Sequence, residues 1–292
     1  MRDTVLPGVL SHTEEVLVSG QKRTFLLVTA EELSPITAVV VVLHGSSQTA
    51  RAVRAFSGHS FDHLAAAGQI AVVYPDGLKK RWNHNDAASN ASDDIAFMAA
   101  LADQLHAQYG PVPLVMAGFS NGGQFLIRLV HEMPRKLHGV AIIGATLPWA
   151  GNAAFIDNYE PLPILLVHGT HDLVVPYRGE GWFRSLFGRR RGPSALQTAQ
   201  YFAARNGITT EPSSTVLPHR KESGRTSVTL RRFHHDGGPE VRLYTVAGGG
   251  HVVPNRHRKA IIFAGRTTQD ISVADALREF FPVLDSSSTG FP

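Results

Sequence analysis

The 292-residue chain contains no cysteine. That excludes disulfides, thiolate-bound metals and a cysteine nucleophile, and it fits a reducing compartment. No apolar run is long enough to span a bilayer, and the opening Met1-Arg2-Asp3-Thr4-Val5-Leu6-Pro7-Gly8 lacks the apolar stretch of a secretory leader. Neither charge sign dominates: 28 Lys and Arg stand against 24 Asp and Glu, a net charge of +4. An excess that small does not make nucleic acid the default partner. These absences predict a cytoplasmic protein with no membrane and no nucleic-acid partner. They leave its oligomeric state open. Internal repeats and a dividing linker are also lacking. One domain over residues 1–284 is therefore expected, followed by a flexible Ser-rich tail over 285–292. A chain of this length can bury about three quarters of its unfolded surface, so it needs no covalent staples.

What is present is an alternation of strand and helix signals. Residues 14–18 and 23–28 flank Ser19-Gly20-Gln21 and read as an opening hairpin. The continuous β-branched run 38–43 suits a strand covered on both faces. Further strands are read at 70–74, 113–116, 138–144, 163–167, 227–233 and 241–246, with Asp236-Gly237-Gly238 joining the last two. Helices are read at 61–67, from an N-cap at Ser92 through Ile95, Met98, Leu101 and Leu105, at 124–130, at 195–205 and at 272–281. The pattern predicts an α/β protein with a doubly wound, mostly parallel sheet, whose ligands sit at the carboxyl ends of the strands.

The stretch that organises the rest is Met116-Ala117-Gly118-Phe119-Ser120-Asn121-Gly122-Gly123, between an apolar strand and a helical run. It fits the nucleophile elbow G-x-S-x-G. A strand that turns sharply into a helix strains the serine backbone, so bulky neighbours clash and glycines are needed. The turn lifts Oγ above the sheet and leaves the Asn121 N–H at a helix N-terminus, where an oxyanion can be held. An ordinary Gly-rich turn is the bland alternative. Serine chemistry also needs a base and an acid that orients it. His251 follows a strand and Gly248-Gly249-Gly250; Asp172 follows the 163–167 strand and Val167-His168-Gly169-Thr170-His171. Ser120, Asp172 and His251 fall in the order nucleophile, acid, base that α/β-hydrolases use. The loop His44-Gly45-Ser46 follows the first buried strand, which makes the Ser46 N–H the candidate second oxyanion donor and His44 a structural residue rather than a base.

Together, His44-Gly45-Ser46-Ser47-Gln48, Tyr74-Pro75-Asp76-Gly77, Trp82-Asn83, Asp93-Asp94-Ile95-Ala96-Phe97, the elbow, His168-Gly169-Thr170-His171-Asp172 with Pro176-Tyr177, and Gly248-Gly249-Gly250-His251 resemble motifs of the polyhydroxybutyrate depolymerase and feruloyl-esterase-like α/β-hydrolases. The resemblance runs from about residue 14 to 281. It implies an α/β-hydrolase fold and a serine esterase with the triad Ser120, Asp172 and His251. It implies no metal and no organic cofactor, and as partner a small-molecule or oligomeric ester. Trp82 matches a family motif and becomes a substrate-binding candidate, with a packed Trp beside a turn Asn as the equal alternative. Ser46 stands where the family often has cysteine, a change that a backbone donor survives. Val252-Val253-Pro254-Asn255 stands where the family usually reads Thr-Trp-Pro-Gly, so Val253 is expected in the site in place of an indole.

Asp93 and Asp94 read as helix-capping charges rather than a pair of catalytic carboxylates. Arg189-Arg190-Arg191 lies in a segment with Trp182, Phe183 and Phe187, and Arg256, Arg258 and Lys259 follow the His251 loop. These clusters read either as a solvated basic surface or, for residues 178–193, as a lid that attracts anionic esters. The leading function is hydrolysis of a carboxylic ester through an acyl-serine. A thioesterase or peptidase on the same triad and a non-catalytic binding protein are the rivals.

Overall fold

The computed structural model describes residues 6–32, 34–85, 93–148, 155–179, 192–256 and 264–285. The expected lid residues 180–191, the basic residues Arg258 and Lys259, the helix cap at Ser92 and the tail 286–292 lie outside the described residues.

Two strands open the fold, β1 (Val9–Val18) and β2 (Gln21–Ala30), paired antiparallel in unbroken register. Ser19 and Gly20 between them have φ of 49° and 79°, the left-handed pair that matches a two-residue turn to the twist of its strands. There follow β3 (Ala38–Leu43), β4 (Ile70–Pro75), β5 (Leu114–Phe119), β6 (Gly139–Ile143) and β7 (Ile164–Gly169), each buried along its whole length. The short β8 (Ser213–Val216), β9 (Ser227–Phe233) and β10 (Val241–Ala247) complete one ten-stranded sheet of order β1-β2-β4-β3-β5-β6-β7-β10-β9-β8. The run from β4 to β10 is parallel; the outer pairings are antiparallel.

Alternation along β3 builds both cores. Val39, Val41 and Leu43 face an apolar layer shared with α3 (Asp94–Tyr109), α4 (Asn121–Glu132) and α5 (Ala195–Arg205). Ala38, Val40 and Val42 face a second layer with α1 (Ala50–Phe56), α2 (Asp62–Ala65) and α6 (Val273–Phe280). Side chains on a strand alternate faces, so a strand with both faces covered is apolar throughout.

Several boundaries differ from the sequence reading. The helix expected over 61–67 shrinks to the single turn α2, while α1 and β8 were not anticipated. α1 is short and rests on a cap, with Thr49 Oγ1 accepting from Ala52 N at 3.2 Å; β8 is polar and exposed at every residue. Among the described residues α3 is capped by Asp93, which accepts from Ala96 N at 2.9 Å. Asp94 is no exposed dipole charge: its side chain is buried and pairs with buried Arg23 at 2.7 Å.

The strand order fixes where a site can form. From β3 the chain moves out to β4, then returns across β3 to begin β5 on its other side. The carboxyl ends of β3 and β5 therefore flank a switch point, where the connections diverge and leave a crevice. The His44 loop leaves β3 there, and Ser120 leaves β5.

Candidate active site

Ser120 has φ 55° and ψ −117°, a conformation that costs a non-glycine residue about 1–3 kcal/mol. Its neighbours hold it there. Ser120 N donates to Ile143 O at 2.8 Å, and Ser120 O accepts from Gln124 N at 2.9 Å as α4 begins. The glycines follow from close backbone approach. A Cβ on Gly118 would stand 2.5 Å from Gly122 O, and one on Gly122 would stand 2.7 Å from both Leu43 O and His44 O.

Asp172 and His251, the expected acid and base, are placed by loops that pack on each other. His171 N donates to Gly249 O at 2.8 Å, and His251 N donates to Ala264 O at 2.8 Å. Asp172 Oδ1 accepts from the N–H groups of Val174 and Val175 at 2.9 and 2.8 Å. That turn aims Oδ2 at His251 Nδ1, 2.6 Å away. A carboxylate can only accept, so Nδ1 carries the proton and Nε2 presents its lone pair. Ser120 Oγ lies 2.9 Å from that Nε2. The Asp172 side chain is fully buried, and the His251 side chain is 11% exposed. The Phe119 ring packs on the imidazole at 4.7 Å. Behind Asp172, buried His168 directs Nε2 to Val175 O at 2.8 Å, and burial pushes its pKa down. The three residues expected to form the triad are thus within hydrogen-bonding distance, at the ends of three strands.

The expected oxyanion donors lie on either side of the switch point. Gly45, Ser46, Ser47 and Gln48 form a tight turn, closed by Gln48 N to Gly45 O at 3.2 Å, with Ser46 exposed and Ser47 at φ 64°. Its position is set by buried His44. The ring accepts from Gly77 N at Nε2, 2.9 Å, and bonds Gly45 O through Nδ1, 2.8 Å. That pattern requires a neutral imidazole, and burial pushes its pKa down accordingly.

The segment 77–84 braces this loop and the elbow at once, a role that the sequence reading missed. Ser47 N donates to Lys80 O at 2.9 Å, and Trp82 Nε1 donates to His44 O at 3.0 Å. Trp82 N donates to Asn121 Oδ1 at 2.7 Å, and Asn121 Nδ2 lies 2.9 Å from His84 Nδ1. Asn83 is tied to α3 and α4, its N–H to Asp94 at 2.7 Å and its carbonyl to Arg128 at 3.1 Å. The signals were Asp76-Gly77 and Trp82-Asn83, read as motifs without a mechanical role. A Cβ at Gly77 would stand 2.4 Å from Arg81 O.

The two expected substrate contacts are elsewhere. Trp82 is buried, its ring stacked parallel to Phe125 at 5.5 Å and to Phe97 at 6.3 Å. Its indole is a prop beneath the loop that follows β3, not a wall of the cleft. Val253 is 2% exposed and belongs to the apolar layer that contains Phe119, Val246 and Val273. The likeness of the local sequence misplaced it because a small β-branched side chain suits that layer. Leu173 and Val174, directly after Asp172, are apolar and exposed instead. Among the described residues no three His, Asp or Glu side chains are grouped to hold a metal ion, and no helix is long and apolar enough to cross a membrane.

The sheet, its switch point and the strained serine between β5 and α4 define an α/β-hydrolase. The chain belongs to the phospholipase/carboxylesterase family, whose model matches residues 26–186, and it is an ester-hydrolysing enzyme. It is 27% identical over 284 residues to "Putative esterase NocK" of Nocardia uniformis subsp. tsuyamanensis, a match that spans 91% of this chain and 81% of that one. It is 25% identical over 239 residues to the bifunctional acetylxylan esterase/xylanase XynS20E of Neocallimastix patriciarum, covering 80% of this chain and 31% of that one. Among solved structures, an acetyl xylan esterase from Aspergillus awamori shares the fold, with a TM-score of 0.64 at 13% identity over 93% of this chain and 99% of that one.

Proposed function

We propose that the protein hydrolyses carboxylic esters through an acyl-serine intermediate on Ser120. The observation that carries this reading is the continuous relay from Asp172 Oδ2 to His251 Nδ1 at 2.6 Å and from His251 Nε2 to Ser120 Oγ at 2.9 Å. Ser120 Oγ attacks the ester carbonyl while His251 Nε2 takes its proton. The carbonyl oxygen becomes an oxyanion received by the backbone N–H groups of Asn121 and Ser46. His251 then gives the proton to the departing alkoxide, which leaves as alcohol. Water, deprotonated by the same nitrogen, attacks the acyl-serine and releases the acid. Asp172 holds the tautomer and stabilises the imidazolium. The sequence as written needs neither metal nor organic cofactor.

The substrate class is a small-molecule or oligomeric ester. Acetyl esters follow from the name of the XynS20E relative, and hydroxycinnamoyl esters from the sequence resemblance. The experiment is labelling with a fluorophosphonate, with rates on p-nitrophenyl acetate, methyl ferulate, hydroxybutyrate oligomers, a thioester and a peptide. The expected result is one adduct on Ser120, turnover of at least one oxygen ester and its loss in Ser120→Ala. Turnover that survives in folded Ser120→Ala overturns the mechanism. Faster cleavage of the thioester or peptide overturns the substrate class.

A further inference from the structure

His84 takes no part in the reaction above, yet its contacts with Asn121 leave it little freedom. Asn121 is 5% exposed, and both its Nδ2 donors and one lone pair of its Oδ1 are engaged by segment 77–84. Oδ1 accepts from Trp82 N at 2.7 Å; Nδ2 donates to Trp82 O at 3.1 Å and faces His84 Nδ1 at 2.9 Å. The first contact fixes the amide orientation, because the flipped amide would set Nδ2 against the Trp82 N–H, donor against donor. With Nδ2 facing the imidazole, Nδ1 must accept, so the ring is neutral and its proton is on Nε2. A longer contact, Nδ1 to Trp82 O at 3.4 Å, is the one that a protonated Nδ1 would use.

We infer that His84 is a positioning residue. The lone pair on its Nδ1 locks the Asn121 carboxamide, and through it the Asn121 backbone N–H that receives the oxyanion. The inference rests on the acyl-serine reading of the site. It has a consequence for pH. Protonation of Nδ1 turns an acceptor toward Nδ2 into a second donor, so the lock opens. The charges around the ring oppose that step. Burial pushes the His84 pKa down, the longer contact with the Trp82 carbonyl raises it, and Arg128 on α4 and Arg81 on the same segment lower it further. Arg128 is itself paired with Glu132 at 2.7 Å, and Asp94 on α3 is engaged by the neighbouring Asn83 N–H. The lock is therefore closed at neutral pH and opens below it.

The test compares kcat and KM across pH for wild type, His84→Ala and His84→Asn on p-nitrophenyl acetate, with thermal midpoints and Ser120→Ala alongside. Loosening the Asn121 N–H, a donor used in the transition state, should lower kcat about tenfold in His84→Ala, with KM little changed. His84→Asn offers an amide oxygen near the place of Nδ1 and should recover most of that loss. Its acid limb should be shallower than that of wild type by one proton, the one that His84 no longer takes up. Wild-type kcat and an unchanged acid limb in His84→Ala overturn the inference. So does a folded His84→Asn that is as impaired as His84→Ala and keeps the wild-type acid limb. If Ser120→Ala keeps turnover, the acyl-serine reading fails; if Ser120→Ala is inactive and both His84 variants behave as wild type, only the role of His84 fails.

Discussion

His251 Nε2 lies 2.9 Å from Ser120 Oγ across 131 residues of sequence. Neither side chain could hold that distance alone. Ser120 is pinned by a backbone bond to β6, and His251 by Asp172 on one side and the Phe119 ring on the other. The weakest point of the relay is the tautomer, which only the carboxylate enforces. Asp172→Asn would keep an oxygen for Val174 and Val175 and turn an NH2 toward Nδ1. The ring would then carry its proton on Nε2, where it cannot act as base. kcat for p-nitrophenyl acetate should fall about 10⁴-fold with the fold retained. A loss under tenfold in a folded variant would mean that Asp172 does not orient the base.

The elbow makes a structural prediction of its own. In Gly122→Ala the new Cβ meets two backbone carbonyls, Leu43 O and His44 O, each at 2.7 Å. Backbone cannot swing aside as a flexible side chain can. The loop that begins at His44 must move away from α4, at a cost of about 1–3 kcal/mol. At about 2–4 °C per kcal/mol the thermal midpoint should drop by several degrees. Ester turnover should fall further than the fraction unfolded explains. A variant with wild-type midpoint and rate would show that the close approach is not maintained in solution.

The residues of the site also show what was legible in the sequence. Ser120, Asp172 and His251 could be read because each follows a buried strand, and strand ends meet at one rim in a parallel sheet. The parallel core could be read because strands covered on both faces are apolar throughout. The braces could not. His84, Arg23 and Asp94 are polar residues in or near irregular segments, and their meaning is in partners 37, 71 and 71 residues away. Asp94 looked like a helix-terminal charge because the sequence cannot show that Arg23 on β2 reaches it. Likeness to other chains placed Val253 in the cleft and left Trp82 open between cleft and packing; both are buried.

The correction at position 253 can be checked directly. Val253 is enclosed in an apolar layer, and Pro254 O is bonded to Val273 N at 3.1 Å at the start of α6. An indole there has no room. Val253→Trp should lower the thermal midpoint through overpacking worth about 1–3 kcal/mol, and the ratio of rates on methyl ferulate and p-nitrophenyl acetate should stay near the wild-type ratio. Unchanged stability with an altered ratio would return position 253 to the substrate cleft.

Acid sensitivity of the fold follows from its buried histidines. His44, His131 and His168 are each held neutral chiefly by burial, which pushes their pKa below the ordinary 6.5. In the unfolded chain each titrates near 6.5. Below that pH the unfolded state binds more protons than the folded one, so unfolding free energy rises with pH there. Their contribution is present in full above about pH 6.5 and is lost as pH falls through the folded values. The thermal midpoint should therefore be flat from about pH 7 to 8 and decline on acidification before the bulk of the carboxylates titrate. The decline should be shallower in His131→Gln. Its side chain can still meet the Tyr201 hydroxyl, which now lies 2.6 Å from His131 Nε2, and it adds no titrating group. Differential scanning calorimetry across pH 4.5 to 8 would measure both slopes, at roughly half-unit steps around the histidine value. A midpoint independent of pH down to about 5, in wild type and variant alike, would mean that these imidazoles are not buried neutral in the folded state.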